Sequence, residues 1–373
     1  VNYAYVIKEK SIQRQLIETG ERITRMAYRG YDEVDTMLDK AESMIFKIAE
    51  SKQKKDIVPL ADLVQVKISH LDNYTENKGK ITGISSGFSR FDNITSGFHG
   101  SDLLILAARP AMGKTAFALN LATNVAKQGK SVLVYSLEMG NEQLFDRLIA
   151  SESKIRLKSL KDSTLTSEEL ISMGNGLGRL SELPIYISDS SSVTMLDIKA
   201  TARRLKSEGK LDFMLIDYLQ LISPAENSRK SREQEISEIS RSLKILAKEL
   251  NIPIVTLSQL SRGVEQRVDK RPILSDLRES GAIEQDADMV MFLYREKYYN
   301  KDTATEVDNV NIPSKYTQNS EETQKEYKSE MEKVELIIGK HRSGPTGTIE
   351  LGFRPSYQQF VNVVDDEFAP SPE

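Results

Sequence analysis

The sequence contains no cysteine and no tryptophan, has only three histidines, and has no apolar run near the ~18 residues that a membrane-spanning helix needs. Without cysteine there are no disulfides, no thiolate catalysis and no cysteine-based zinc site. His70, His99 and His341 are scattered and cannot by themselves build a metal centre. The N-terminus lacks a signal-peptide pattern, so a soluble intracellular chain with no membrane partner is expected, and Val1 in place of Met points to processing or truncation. Charge of one sign is also lacking. Lys plus Arg (51) nearly balances Asp plus Glu (55), leaving a net charge of -4 and no bulk attraction to nucleic acid. Any nucleic-acid site must therefore be a local basic patch. Length, at about 150 residues per domain, leaves room for two domains and part of a third.

What is present is ordered along the chain. Ile12, Leu16, Ile17, Ile23, Met26 and Ala27, then Val34, Met37, Leu38, Ala41, Met44, Ile45, Ile48 and Ala49, recur at helical spacing on either side of a turn at residues 29–32. Two helices bury too little to fold securely, so this hairpin is expected to pack on other sequence or on another subunit. Residues 51–56 read as a charged linker. Pro59 then opens a short amphipathic helix with Leu60, Leu63, Val64, Ile68 and Leu71 on one side, closed by a second polar linker at residues 72–80. A short helix between linkers is marginal alone and calls for a partner.

From residue 81 the pattern becomes α/β. Strand-like runs at 103–107, 131–136, 184–187, 213–217, 253–258 and 289–294 alternate with helical stretches such as 114–127, 195–206 and 232–250. This alternation indicates a mostly parallel central sheet. Runs at 334–338, 348–353 and 359–363, with Gly and Pro between them, read as antiparallel hairpins added to its edge. Residues 299–333 have few apolar positions and are expected to be a disordered insertion.

The strongest local signal is Ala108-Arg109-Pro110-Ala111-Met112-Gly113-Lys114-Thr115, between a strand and a helix. It is a Walker A loop with Ala108 in place of the usual first Gly. Gly113 lets the backbone approach phosphate, successive N–H groups supply positive potential, Lys114 neutralises the β/γ-phosphates and the Thr115 hydroxyl ligates Mg2+. The expected nucleotide contacts run from Ala111 through Met112, Gly113, Lys114 and Thr115 to Ala116. Asp217 ends the apolar strand 213–217 and is the Walker B candidate for Mg2+. Glu138 follows the strand after the Walker A helix, where it can act as general base or simply stabilise a helix N-terminus. Gln259, also at a strand end, can sense the γ-phosphate or serve as a polar cap. Arg262, Arg267, Lys270, Arg271 and Arg278 cluster in a stretch without apolar periodicity, suited to phosphate contacts in a channel or to a plain basic surface. On residues alone, Lys340 and Arg342 read as a solvated basic hairpin tip.

These motifs, with Ser136-Leu137-Glu138-Met139, Ile216-Asp217-Tyr218-Leu219-Gln220-Leu221, Ser258-Gln259-Leu260-Ser261-Arg262 and Asp276-Leu277-Arg278-Glu279-Ser280-Gly281, resemble in content and order those of bacterial DnaB-type replicative DNA helicases. The resemblance implies a RecA-like P-loop NTPase fold: a ring of six whose ATP lies between neighbours. It implies a helical hairpin at 1–57 that ends a primase-interacting N-terminal domain, a linker helix and connector at 58–80, and a motor at 81–373. It also implies 5′ to 3′ translocation on single-stranded DNA at the replication fork, with primase and a helicase loader as partners, in the cytoplasm with the nucleoid. Lys114 and Thr115 then serve phosphate and Mg2+, Glu138 the attacking water, Asp217 Mg2+ and Gln259 coupling, while Lys340 and Arg342 reach the neighbour's γ-phosphate. Arg278, Glu279 and Gly281 fall on the DNA-tracking loop. The rivals are a RecA-like recombinase-type ATPase and a nucleotide-gated scaffold that recruits primase.

Overall fold

The computed structural model describes residues 2–29, 34–51, 60–61, 64, 68, 81–190, 192–223, 231–277, 281–299 and 331–363. It divides into two compact units, Val1–Gly79 and Lys80–Glu373. The first holds α1 (Asn2–Arg29) and α2 (Val34–Ser51), which pack on each other. Leu16, Ile17, Leu38 and Ile45 remain exposed on them, as the small size of a two-helix core requires. Leu60, Ala61, Val64 and Ile68 are helical and exposed; of the turn expected at 29–32, Arg29 ends α1, and the rest, with most of 58–80, lies outside the described residues.

The second unit is a nine-stranded sheet with helices on both faces. In chain order its elements are α3 (Ser89–Thr95), β1 (Leu103–Ala108), α4 (Lys114–Ala126), β2 (Val132–Ser136), α5 (Asn141–Ser153), α6 (Leu157–Lys161), α7 (Ser167–Ser181), β3 (Ile185–Ser188), α8 (Met195–Ser207), β4 (Phe213–Asp217), α9 (Arg232–Leu250), β5 (Ile254–Gln259), α10 (Gly281–Asp286), β6 (Met289–Tyr294), α11 (Glu296–Tyr299), β7 (Glu332–His341), β8 (Gly347–Arg354) and β9 (Gln359–Asn362). The strand order is β3-β2-β4-β5-β1-β6-β7-β8-β9. The first six in that order run parallel, and β7 to β9 extend the sheet antiparallel from β6.

Alternation within β1 shows how the sheet is filled. Leu104, Leu106 and Ala108 enter one core with Phe117, Leu121 and Val125 of α4, whereas Leu103, Ile105 and Ala107 enter the other with Ile236, Leu243 and Leu246 of α9. Successive side chains point to opposite faces, and helices cover both, so β1, β2, β4 and β6 are buried at every position. The helices α7, α8 and α9 each open on a capping box, Thr166 with Glu169, Thr194 with Asp197 and Ser231 with Gln234.

Two differences from expectation have local causes. The interval 299–333 is trimmed at both ends. Tyr299 closes α11 and stacks on Tyr294 with ring centroids 5.9 Å apart, while Glu332 opens β7 and pairs with Arg295. Residues 300–330 lie outside the described residues. The helices α5 and α7 were not read from the sequence; in α7 Leu170, Met173, Leu177 and Leu180 do recur at helical spacing, but Gly174, Gly176 and Gly178 between them weaken the helical signal.

Candidate nucleotide site

The parallel strands end side by side. Ala108 of β1 pairs with Gln259 of β5, and Ser136 of β2 pairs with Asp217 of β4, which places Lys114, Glu138, Asp217 and Gln259 along one sheet edge. Lys114, Glu138 and Gln259 line a cleft of about 360 Å³ with Thr115, Arg147, Tyr218 and Arg295. β5 lies between β1 and β4, so Gln259 at its carboxyl end borders the cleft beside both the phosphate loop and the end of the strand that carries Asp217.

The phosphate loop needs positive φ at two residues, Ala111 (φ 65) and Gly113 (φ 93). Ala108 is not one of them; it is the buried last residue of β1, and its methyl fills the core. The departure from the usual glycine therefore carries no backbone penalty. At Gly113 a Cβ would meet Phe360 and Phe353 at 3.3 and 3.4 Å, in a backbone conformation that L-residues rarely adopt.

Thr115 Oγ1 donates to Asp217 Oδ2 at 2.7 Å, and Asp217 Oδ1 is buried with no partner among the described residues. That unsatisfied oxygen, beside a hydroxyl that can turn its lone pair outward, fits a hydrated cation. Among the described residues no three His, Asp or Glu side chains cluster as a metal cage, so a cation here would take its further ligands from water or from a nucleotide's phosphates. Burial pushes the Asp217 carboxyl above its ordinary range and the Lys114 amine below its own, although each favours the other's charge. Lys114 Nζ lies 4.7 Å from the Tyr218 ring centre. A buried cation and a buried carboxylate both weakened by desolvation form a site short of compensating charge, which a metal–phosphate group supplies.

Three arginines of this region escaped the sequence reading. Arg147 of α5 donates to Gln358 Oε1 at 2.7 Å and lines the cleft, with burial lowering its pKa. Arg295 donates to the Ala111 carbonyl at 2.9 Å, pairs with Glu332 and covers the Phe353 ring. Arg109 donates to Glu265 and to the Leu260 carbonyl, at 2.8 and 2.9 Å, tying the phosphate loop to the segment after Gln259. Their partners are distant in sequence, so only the residue type was visible.

The basic stretch after β5 is less uniform than its sequence. Arg267 forks onto Asp276 at 3.1 and 2.7 Å, Arg271 onto Glu335 at 2.8 and 2.7 Å, and Lys270 lies over the Tyr299 ring. Arg262 is exposed and has no ion-pair partner among the described residues. Gly281 opens α10 in open space, while Arg278 and Glu279 lie outside the described residues.

Lys340 and Arg342 are not in the cleft. Lys340 pairs with Val290 at the start of β6, level with the start of β1. That is roughly 10 Å of strand, at about 3.3 Å per residue, from the phosphate-loop end. Lys340 Nζ donates to the Glu284 carbonyl, and Arg342 to the Gln285 carbonyl and to Asp288.

Residues 83–362 match the family described as DnaB-like helicase C terminal domain. The chain belongs to the DnaB-like replicative helicases. Membership makes it an ATP-dependent DNA helicase. It is similar to the replicative DNA helicase DnaB of Geobacillus stearothermophilus and the replicative DNA helicase DnaC of Bacillus subtilis, each 45% identical over 97% of this chain and 74% of the relative. A solved structure described as an ATPase domain superposes with a TM-score of 0.69 at 39% identity, covering 81% of this chain and 99% of that domain. A DnaB-like replicative helicase described with its interactions with primase gives 0.76 at 35% identity, covering 97% of this chain and 79% of that one. Among the described residues of this DnaB-like chain no helix is long and apolar enough to cross a membrane.

Proposed function

We propose that six copies of this chain form a ring that moves 5′ to 3′ along one DNA strand at the replication fork and excludes the other, with ATP and Mg2+ held between neighbours. One observation carries the shared site: Lys340 and Arg342 lie at the opposite end of the sheet from their own phosphate loop, so a second copy is needed to bring them to a γ-phosphate.

The phosphates rest on the N–H groups from Ala111 to Ala116, with Met112 buried beneath and Lys114 neutralising charge. Thr115 and Asp217 would hold Mg2+, which when bound would offset the charge that develops in phosphoryl transfer. Glu138 orients the attacking water and accepts its proton. Arg147 adds a cation from the same chain. Lys340 and Arg342 of the next copy supply donors to the transferred group, where a cation in trans has its largest effect. Gln259 sits where it can report the γ-phosphate to the following segment, and Arg109 fastens that segment to the phosphate loop.

DNA contacts fall to Arg262, Arg278 and the Gly281 N–H, with Glu279 supporting Arg278. Arg267, committed to Asp276, acts by holding the segment's shape. Residues 1–57 are read as the hairpin that ends an N-terminal domain, 58–80 as the linker helix and connector, and 81–373 as the motor. The exposed apolar residues of the hairpin and linker suit docking to other subunits. Primase and a helicase loader are the expected partners, and the cytoplasmic nucleoid the expected location.

The purified protein is expected to unwind a fork with a 5′ single-stranded tail in an ATP-dependent way. Unwinding only of forks loaded on a 3′ tail would overturn the proposed polarity.

A further inference from the structure

The two cations proposed to act in trans already have partners in their own subunit, at the carboxyl end of one short helix and at Asp288 just beyond it. Helix α10 ends with carbonyls that no further helical turn can satisfy. Lys340 donates to the carbonyl of Glu284 and Arg342 to that of Gln285. Cations at a helix carboxyl end also meet its partial negative charge. α10 begins at Gly281, one of the proposed DNA contacts, so the same helix joins that contact to the trans cations.

Asp288 holds this arrangement together. Its Oδ1 accepts from Arg342 Nη1 at 3.3 Å, and its backbone carbonyl accepts from the Arg342 N–H at 2.8 Å. Its Oδ2 accepts from Lys244 of α9 at 2.5 Å and from the Leu103 N–H, where β1 starts, at 2.8 Å. The carboxylate is thus anchored to the core on one oxygen and to Arg342 on the other.

We propose that Asp288 is a positioning residue that retains Arg342, and with it Lys340, on the carboxyl end of α10, so that capping α10 and engaging a neighbour's γ-phosphate are competing uses of the same two cations. Phosphate oxygens carry full negative charge and match the donors of a guanidinium or ammonium better than a neutral carbonyl does. A neighbour's ATP therefore draws the pair away, and α10 with Gly281 loses its cap. Competition of this kind is reciprocal. DNA that displaces α10 frees the cations for the neighbour's ATP, which makes turnover depend on DNA.

The inference rests on the trans role of Lys340 and Arg342, and its test separates the two. Asp288→Asn keeps the side-chain shape while weakening the hold on Arg342. Without DNA the ring should bind a non-hydrolysable ATP analogue about fivefold or more tightly, the low end of usual intersite coupling, and its kcat should rise above that of the wild type. Its stimulation by single-stranded DNA should shrink in proportion, and the gain should vanish in Asp288→Asn/Arg342→Ala. Unchanged DNA-free turnover and stimulation, or a parallel loss of both, would overturn the latch. A second readout needs no variant. In the wild-type ring, a non-hydrolysable ATP analogue without DNA should speed amide exchange across residues 281–286, and unchanged or slower exchange counts against the proposal. If Lys114→Ala and Arg342→Ala proteins fail to rescue each other on mixing, the underlying trans reading falls. If they rescue and Asp288→Asn behaves as wild type, only the latch does.

Discussion

The two ends of the central sheet carry opposite kinds of charge chemistry. At the carboxyl end, Lys114 and Asp217 are largely withdrawn from water, and burial works against the charged form of both. At the amino end, Arg342 is about half exposed and rests on carbonyls and on a carboxylate that Lys244 also engages. The first end has preorganised geometry and lacks charge compensation; the second has exposed charge and lacks a substrate. In the proposed function each is half of a phosphoryl-transfer site, and two copies of the chain bring the halves together.

The comparison can be broken by removing either half. Arg342→Ala should lower ATP turnover by roughly 10³-fold or more, as loss of a trans cation does in related chemistry, with little change in the thermal midpoint of a single subunit; a fall of under tenfold in steady-state ATPase assays would contradict it. Glu138→Gln, at the other end, should lower kcat by about 10²- to 10⁴-fold and leave nucleotide affinity, measured by titration calorimetry, nearly unchanged. Asp217→Asn should abolish Mg2+-dependent turnover yet raise the stability of the nucleotide-free protein by on the order of 1 kcal/mol. The sign follows from its raised pKa. The folded protein binds more protons than the unfolded one between the ordinary carboxylate value and the raised value, so stability falls as pH climbs through that window. In denaturant melts the variant should lose that fall.

Smaller effects divide the basic stretch after β5. Replacing Arg267 with Ala strands the buried Asp276 and should cost about 1–2 kcal/mol of stability, moderated by the solvent exposure of Arg267. Arg262→Ala should leave stability unchanged and reduce the slope of log affinity for single-stranded DNA against log salt by roughly 0.7. Equal stability losses in the two variants would show that the division is wrong.

What could be read beforehand follows the range of the interactions. Gly113, Lys114 and Thr115 were legible because a tight strand-to-helix turn around phosphate fixes residue types locally. Asp217 was legible as the polar end of an apolar strand. Parallel strands fully buried on both sides announced themselves as continuous apolar runs. Arg147, Arg295, Arg109 and Asp288 were not legible, since each acts through a partner far along the chain: Gln358, Ala111, Leu260 and Leu103. Arg262 and Arg267 look alike in sequence; only the approach of Asp276 to one of them separates a solvent-facing cation from a structural one.

The central claim is that Lys114 and Arg342 serve one ATP from two chains. It is tested most directly by mixing inactive Lys114→Ala and Arg342→Ala proteins and measuring DNA-stimulated ATP turnover against mixing ratio. Mixed rings regain interfaces with both residues intact, so turnover should rise above either parent and peak at intermediate ratios. Turnover no higher than the parents at every ratio, in rings shown to contain both variants, would contradict a shared site.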